Sequence, residues 1–400
     1  DGKDMSKSKP IKDVDPKGEL VYPLSQHIGA PAKPVVAKGD HVLAGQLIAE
    51  AGGFVSAPIY ASVSGIVKNI EPRRVVTGDN VMSIVIENDG AYEEVEWPAA
   101  IDFDSEEYAA MTKEEKIERI RKAGIVGMGG AGFPTAVKLS PKEPDKIEYV
   151  IVNCAECEPY LTSDYRKMLE EPEKLIGGLK IALSLFDNAR GILAVEDNKP
   201  DCITRLKHLT KDETKITVKA LKTKYPQGSE RQLIFAATGR AINSSMLPSD
   251  VGCIVNNVDT VISIYNAVME GKPLMYRIVT VTGDAIADPR NFRVRIGTLY
   301  EELVEEAMRR AHALGKPISF HEENPAFIKN NGINEGKVAE ALGIKGSPRD
   351  AEIDLIRRDT ALALKTGAKV VIQHISTKEG VELVRQGKAA GADVHAEATP

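Results

Sequence analysis

Apolar residues recur along this chain at two different periods, and the places where one period gives way to the other divide it into stretches of different build. From Leu24 to about Asn88, short apolar runs are broken by glycine, proline or a charge, which predicts brief β-strands joined by tight turns. Ser105–Ala123 spaces its apolar positions at helical intervals among dense charge and predicts one amphipathic helix. From Gly124 to about Ala241, apolar strands (Tyr149–Val152, Gly191–Val195, Lys215–Ala220) alternate with helices (Tyr165–Leu185, Pro200–Leu209, Gln227–Thr238). That alternation predicts a three-layer α/β domain. A strand at Cys253–Val255 and a helix from Asp259 continue it. A shorter β unit runs from Pro273 to Val294, and the helix Thr298–Leu314 leads into a last α/β stretch. Residues 1–20, rich in Lys, Asp and Pro and without an apolar period, read as an extended arm, and Glu93–Phe103 as a polar linker.

Composition narrows the class. At 42% hydrophobic and 28% charged residues, the 400-residue chain reads as globular and too long for one ordinary core. A net charge of −6 with no long block of one sign gives no reason to expect a nucleic-acid partner. No apolar run approaches the roughly 18–20 residues that cross a bilayer, so membrane association is expected to come through partners. No signal-peptide pattern is read, and a chain opening at Asp1 reads as a processed product or a fragment. The cysteines Cys154, Cys157, Cys202 and Cys253 do not form a secreted disulfide framework, and a reducing compartment suits them better. Cys154 and Cys157 stand at a spacing used in redox and metal sites. With no second such pair, packing beside a cofactor is the preferred reading.

The candidate chemistry begins at Gly127-Met-Gly-Gly-Ala-Gly-Phe-Pro-Thr-Ala-Val-Lys138, with four glycines in six residues. Glycine lets a backbone take positive φ and approach a ligand without a Cβ between them. Successive free N–H groups in such a turn can hold an anion, most often a phosphate, helped by a following helix. Val152-Asn-Cys-Ala-Glu-Cys-Glu-Pro159 then places an acidic turn directly after an apolar strand. A phosphate-type loop, a strand and an acidic turn in succession predict a nucleotide-cofactor site.

Two landmarks of the β-rich unit, Val35–Ile48 and Ala57–Lys68, resemble the two halves of the biotinyl/lipoyl-carrier barrel. Carriers attach their cofactor to a lysine between the halves; here the hairpin reads Ala51-Gly-Gly-Phe54, so a scaffold is expected instead of a swinging arm. From about Gly18 to Glu302 the sequence resembles the C subunit of the Rnf electron-transport complex, RnfC. The glycine loop, the acidic turn, Lys224-Tyr-Pro-Gln-Gly-Ser-Glu230 and Val255-Asn-Asn-Val-Asp-Thr260 also resemble the flavin-bearing subunit of respiratory complex I.

This resemblance implies FMN held by the glycine loop, with NADH stacked on it. Gly127, Gly129, Gly130 and Gly132 would lie along the FMN phosphate and ribityl chain, with Lys138 as counter-charge. Asn153 would bond the flavin, and Glu156 and Glu158 would sit at the flavin and nicotinamide edge. Phe133 would stack on adenine or else belong to the core. Tyr225, Gly228 and Glu230 would line the dinucleotide cleft, and Asn256, Asn257 and Thr260 would touch the flavin's polar side. The expected role is an electron-transfer subunit of an ion-translocating ferredoxin:NAD oxidoreductase. It would dock on other subunits of a membrane complex, peripherally at the cytoplasmic face, without inserting directly. The family's ferredoxin-like cysteine motifs do not appear after the β unit, so no iron–sulfur cluster is expected in this chain. Residues 278–302 resemble the first half of that family's β-grasp (SLBB) domain.

Beyond the helix at residues 301–314 the resemblance changes. Leu314–Asn324, Lys369–Thr377 and Val394–Pro400 resemble dihydroorotase, a metal-dependent cyclic amidohydrolase on a (β/α) barrel. In that family His321 and His374 would be metal ligands, giving an alternative hydrolase reading. The other motifs are missing, so a working zinc site is not expected. The sequence thus predicts an α/β multidomain chimera. Its parts are an arm (1–20), a lipoyl-like barrel-sandwich (21–92), an FMN/NADH-binding three-layer α/β domain (104–270), a partial SLBB-like β-grasp (273–302) and a partial (β/α) barrel (303–400).

Overall fold

The computed structural model describes residues 2–75, 79–130, 132–243, 245–283, 286, 288–320, 335–341, 343 and 348–398. The chain divides into two compact units. One comprises residues 1–70, 84–280 and 290–297, and the other residues 71–83, 281–289 and 298–400.

The centre of the first unit is a four-stranded, all-parallel sheet in the spatial order Ile216–Leu221, Arg190–Glu196, Tyr149–Cys154, Cys253–Asn257. Both faces are buried, and alternate residues serve different cores. Val150, Val152, Leu193, Val195 and Ile254 pack with the helices Pro172–Leu183 and Val258–Met269. Ile151, Ile192, Ala194 and Val255 face the helix Glu230–Thr238 on the other side. Each fully buried Val, Leu or Ile contributes about 1.5–3 kcal/mol. These two layers therefore fix the sheet's place and leave only its strand ends open for chemistry.

Two expected helices are each broken in two, for local reasons. Ser105–Ala123 becomes Glu106–Ala110 and Lys113–Lys122, because Thr112 starts a new helix with a capping box: its hydroxyl accepts from the Glu115 amide and the Glu115 carboxylate accepts from the Thr112 amide. Tyr165–Leu185 becomes Ser163–Glu170 and Pro172–Leu183, since Pro172 lacks the N–H that a continuing helix needs and sits at the first turn of the second one.

Before the α/β layers, Glu19–Pro23, Asn80–Asn88, Gly65–Arg74 and His41–Val42 form one sheet, and Lys33–Pro34, Leu47–Glu50 and Ile59–Tyr60 another. Leu20, Tyr22, Val42, Ile48, Val67, Ile84 and Ile86 fill the space between them. The hairpin at Ala51–Phe54 is exposed at its tip, with Phe54 at 74% accessibility.

The N-terminal arm is docked along part of its length. Lys12–Val14 runs parallel to Arg290–Arg295, whose other neighbour is Tyr276–Val281, giving a three-stranded sheet. Ahead of it, Lys3–Met5 makes one short 3-10 turn. The arm has no apolar period because main-chain pairing and ion pairs such as Arg295–Asp15 hold it, not a buried face.

The second unit carries the parallel strands Ile318–Phe320, Val370–Ile375 and Val394–Ala398, with helices Tyr300–Ala313, Asp350–Thr366 and Lys378–Ala389. Met308, Ala311, Ile318, Ile356, Val370, Ile372 and Val394 form its core.

Candidate cofactor site

In a parallel sheet, ligands bind beyond the carboxyl ends of the strands. Here the ends of Tyr149–Cys154 and Cys253–Asn257 lie side by side. Their registered ends bring Asn153 opposite Asn257 and Val152 opposite Asn256. Asn256 is buried, and its Nδ2 has no hydrogen-bond partner. A buried donor left without a partner costs about 1–3 kcal/mol, so it marks a place where an acceptor fits.

The glycine loop lies against this crevice. Its neck is closed by the Gly127 amide donating to the Phe133 carbonyl at 2.9 Å and by the Thr135 amide donating to Ile125 at 2.9 Å. The Met128 amide donates to Thr260 Oγ1 at 3.0 Å, fastening the loop to the first turn of the helix Val258–Met269. Asn257 caps that helix, accepting from the amides of Asp259 and Thr260 at 2.9 and 3.4 Å. Gly129 fits against Asn257, where a Cβ would come within 3.2 Å, while a Cβ on Gly130 would meet nothing within 4 Å. Gly132 has φ +69°, and a Cβ there would lie 3.0 Å from the Gln26 carbonyl oxygen. Glycine is thus required at 132 by the backbone, and at 130 the main chain stands open to a ligand. Phe133 is half-buried.

The acidic turn occupies the end of the Tyr149–Cys154 strand. Glu156 adopts φ +46°, a left-handed conformation that costs a non-glycine residue about 1–2 kcal/mol and is kept only where neighbours enforce it. Its side chain is 3% exposed. Glu156 Oε1 accepts from the Asp164 amide at 2.7 Å, and Asp164 Oδ2 accepts from Asn257 Nδ2 at 2.7 Å, so the chain Glu156–Asp164–Asn257 bridges the two strand ends. Burial pushes the Glu156 carboxyl up to about 7, while Lys3 and Lys199 act against that rise. Burial, then the charges of Glu156 and Asp259, push Asp164 well above the usual carboxylate range. Both carboxyls therefore take up a proton more readily than exposed ones.

Lys199 is 1% exposed. Its ammonium donates to the Ala155 carbonyl at 2.5 Å, to Asn198 Oδ1 at 3.1 Å and to Glu196 Oε2 at 3.3 Å. It holds the start of the acidic turn from beneath.

The segment Lys224–Glu230 closes the other side. Asn153 Nδ2 donates to the Gly228 carbonyl at 2.8 Å, and the Gly228 amide donates to Cys157 Sγ at 3.2 Å. Cys157 thus accepts a main-chain hydrogen bond that ties the acidic turn to the Lys224–Glu230 segment. Tyr225 is 68% exposed, and the charge and hydrogen bond of Glu158 push its phenol above its ordinary value. Gln227 Oε1 is buried without a partner. Lys138 donates to the Val255 carbonyl at 2.9 Å and pairs with Glu230 at 3.3 Å, its side chain 32% exposed.

The four separated motifs therefore meet at one sheet edge: the glycine loop at Asn257 and Thr260, Lys138 at Glu230, Asn153 at Gly228 and Glu158 at Tyr225. Sequence reading missed Lys3, Asp164 and Lys199. Asp164 had a signal, lying in the first turn of a helix next to Thr162-Ser163; Lys3, in a stretch with no apolar period, had none. His374 is exposed on the strand Val370–Ile375, and His321 lies outside the described residues. Among the described residues no group of three His, Cys, Asp or Glu side chains stands where it could hold a metal ion, and no helix is long and apolar enough to cross a membrane.

Residues 120–266 match the family model described as Nuo51 FMN-binding domain, and residues 1–91 that described as RnfC barrel sandwich hybrid domain. The C subunit of the Na(+)-translocating ferredoxin:NAD(+) oxidoreductase complex of Acetobacterium woodii is 43% identical over 304 residues, 75% of this chain and 67% of that protein. The chain belongs to the RnfC family. Its counterpart in the proton-translocating ferredoxin:NAD(+) oxidoreductase complex of Clostridium ljungdahlii is 45% identical over 76% of this chain and 66% of its own length. The C subunit of the ion-translocating oxidoreductase complex of Pseudomonas aeruginosa is 40% identical, and this RnfC chain spans 38% of it. The chain thus spans about two thirds of the first two relatives and much less of the third. Residues 288–380 match a model described as dihydro-orotase-like, overlapping the end of the RnfC-like part. Among solved structures, an NAD+-reducing [NiFe]-hydrogenase in the air-oxidized state bears a slight likeness over 70% of this chain and 53% of its own, with 17% identity and a TM-score of 0.44.

Proposed function

We propose that this chain binds FMN in the crevice between the Tyr149–Cys154 and Cys253–Asn257 strand ends, accepts NADH beside it, and serves as an electron-transfer subunit of an Rnf-type ion-translocating ferredoxin:NAD oxidoreductase. One observation carries the reading. The partnerless Nδ2 of Asn256 and the open main chain at Gly130 belong to two motifs that converge on the same sheet edge, where a parallel α/β sheet takes a phosphate-bearing ligand.

When bound, FMN supplies hydride acceptance from a nicotinamide and passage of the electrons onward singly. The chain's own residues position and exclude. The amides of Gly129, Gly130 and Gly132 would hold the phosphate, with Thr260 keeping the loop in place. Asn153, Asn256 and Asn257 orient the ring's polar edge. Glu156 and Asp164 hold the proton inventory of the buried floor, and Tyr225 with Glu158 forms the exposed lip where a dinucleotide enters. Hydride transfer needs two rings held face to face, so position and field matter more than an acid or base. Partners are the other subunits of a membrane complex, reached peripherally from the cytoplasmic face, and iron–sulfur chemistry is expected from beyond this chain's four cysteines.

The test is titration of the full chain with FMN, followed by anaerobic NADH. Quenching of FMN fluorescence at micromolar protein and bleaching of the bound flavin's visible absorbance by NADH are expected. Full FMN fluorescence at saturating protein overturns the reading.

A further inference from the structure

The acidic turn is held from two sides. Lys199 grips its start, and the N-terminal segment straps its end. Lys3 Nζ donates to the Glu158 carbonyl at 2.8 Å and to the Leu161 carbonyl at 2.5 Å, and lies 3.9 Å from Glu156 Oε2. Ser6 Oγ meets Thr162 Oγ1 at 2.7 Å in a buried contact. Gly2 lies so close to Tyr160 that a Cβ would fall 2.2 Å from its ring. Thr162 is itself fixed by Asn291 Nδ2 at 2.8 Å. The segment therefore follows the turn's whole far edge through contacts about 155 residues apart in sequence.

The charges around Glu156 make this strap matter. Facing it or its immediate neighbours are Lys3 from the arm, Lys199 and Glu196 from the end of the Arg190–Glu196 strand, Asp164 on Ser163–Glu170, Asp259 behind Asp164, and the thiols of Cys157 and Cys202. Asp259 is paired with Lys167 at 3.2 Å. That leaves the ammonium groups of Lys3 and Lys199 against the carboxyls of Glu156, Glu196 and Asp164. Buried charges need partners, and removing one of two cations leaves a carboxyl that must protonate or move.

We propose that Lys3 is a positioning residue of the cofactor crevice: its ammonium ties the Glu158 and Leu161 carbonyls into one turn and sets the field in which Glu156 gains or loses its proton. The inference rests on the FMN reading for the ligand the turn faces, and on the geometry of the free protein for the rest. Through these contacts Lys3 acts on Glu156 and the turn.

The test uses the full chain labelled with 13C at glutamate carboxyls. The Glu156 signal, assigned by its loss in Glu156→Gln, is followed without ligand between about pH 5 and pH 9. Lys3→Met is expected to raise its midpoint by about one pH unit, and Lys3→Arg to restore most of the difference. In FMN titrations near neutral pH, Lys3→Met is expected to weaken binding about tenfold, and the same change in a Glu156→Gln background to do much less. A Glu156 midpoint that stays at its wild-type value in Lys3→Met overturns the inference. A wild-type chain that ignores FMN overturns the proposed function instead, and the carboxyl titration still decides Lys3. Should Lys3→Met fail to fold, Ser6→Ala loosens the strap with the ammonium in place: a raised midpoint is expected, and an unchanged one overturns the inference.

Discussion

The amide of Met128 and the hydroxyl of Thr260, 132 positions apart, meet at 3.0 Å and join the glycine loop to the helix beneath it. Thr260 is fully buried, so the acceptor side of this bond is shielded from water. Thr260→Val keeps the shape and removes the acceptor, at a cost of about 1 kcal/mol to the loop's fixed position. The expected result is FMN affinity weakened about fivefold, measured by fluorescence titration, with little change in the visible spectrum of the bound flavin.

Two glycines of one loop are expected to fail in different ways. Gly132→Ala forces an alanine into φ +69° with its Cβ 3.0 Å from a carbonyl oxygen, and should lower unfolding free energy by about 1–2 kcal/mol in a urea titration. Gly130→Ala meets no atom within 4 Å and should leave stability within about 0.5 kcal/mol of wild type. Its methyl group occupies the side from which a phosphate approaches, so FMN affinity should drop even so.

Glu156 gives stability a pH dependence of unusual sign. Its ordinary value is 4.5, and burial lifts it to about 7 in the folded chain. Between those values the folded state holds a proton that the unfolded chain has released. Its contribution is therefore most favourable below about 4.5 and is lost as pH rises toward 7. Glu156→Gln keeps an acceptor for the Asp164 amide and cannot ionise. The stability of the variant relative to wild type should rise across that window; a difference that is flat with pH contradicts the assignment.

Lys199 and Glu196 form a buried pair with side chains 2% and 1% exposed. Lys199→Met strands Glu196 without its cation and also frees the Ala155 carbonyl, and should cost about 3–5 kcal/mol in chemical unfolding. Adding Glu196→Gln should recover a large part, since the stranded charge is then gone. Additive losses in the double variant would show that the pair does not act as a unit.

Much of this site was legible because its chemistry sits in short contiguous motifs. The glycine loop, the acidic turn and Asn256-Asn257 each announce themselves by composition, and α/β alternation places them near strand ends. Strand order was not legible: nothing in the alternation says that Cys253–Asn257 lies beside Tyr149–Cys154, yet that neighbour relation creates the crevice. The two broken helices carried plain signals in Thr112 and Pro172, which local capping and the missing proline amide explain. Lys3 and Lys199 were hidden for a different reason. Each works by binding main-chain carbonyls, and a carbonyl has no letter in the sequence.

The strand Lys12–Val14 finds its partner at Phe292–Val294. During synthesis that partner emerges 280 residues after Lys12, so this strand waits unpaired while the parallel sheet between them can already assemble. The edge that steadies the acidic turn is therefore completed well after the turn itself is made.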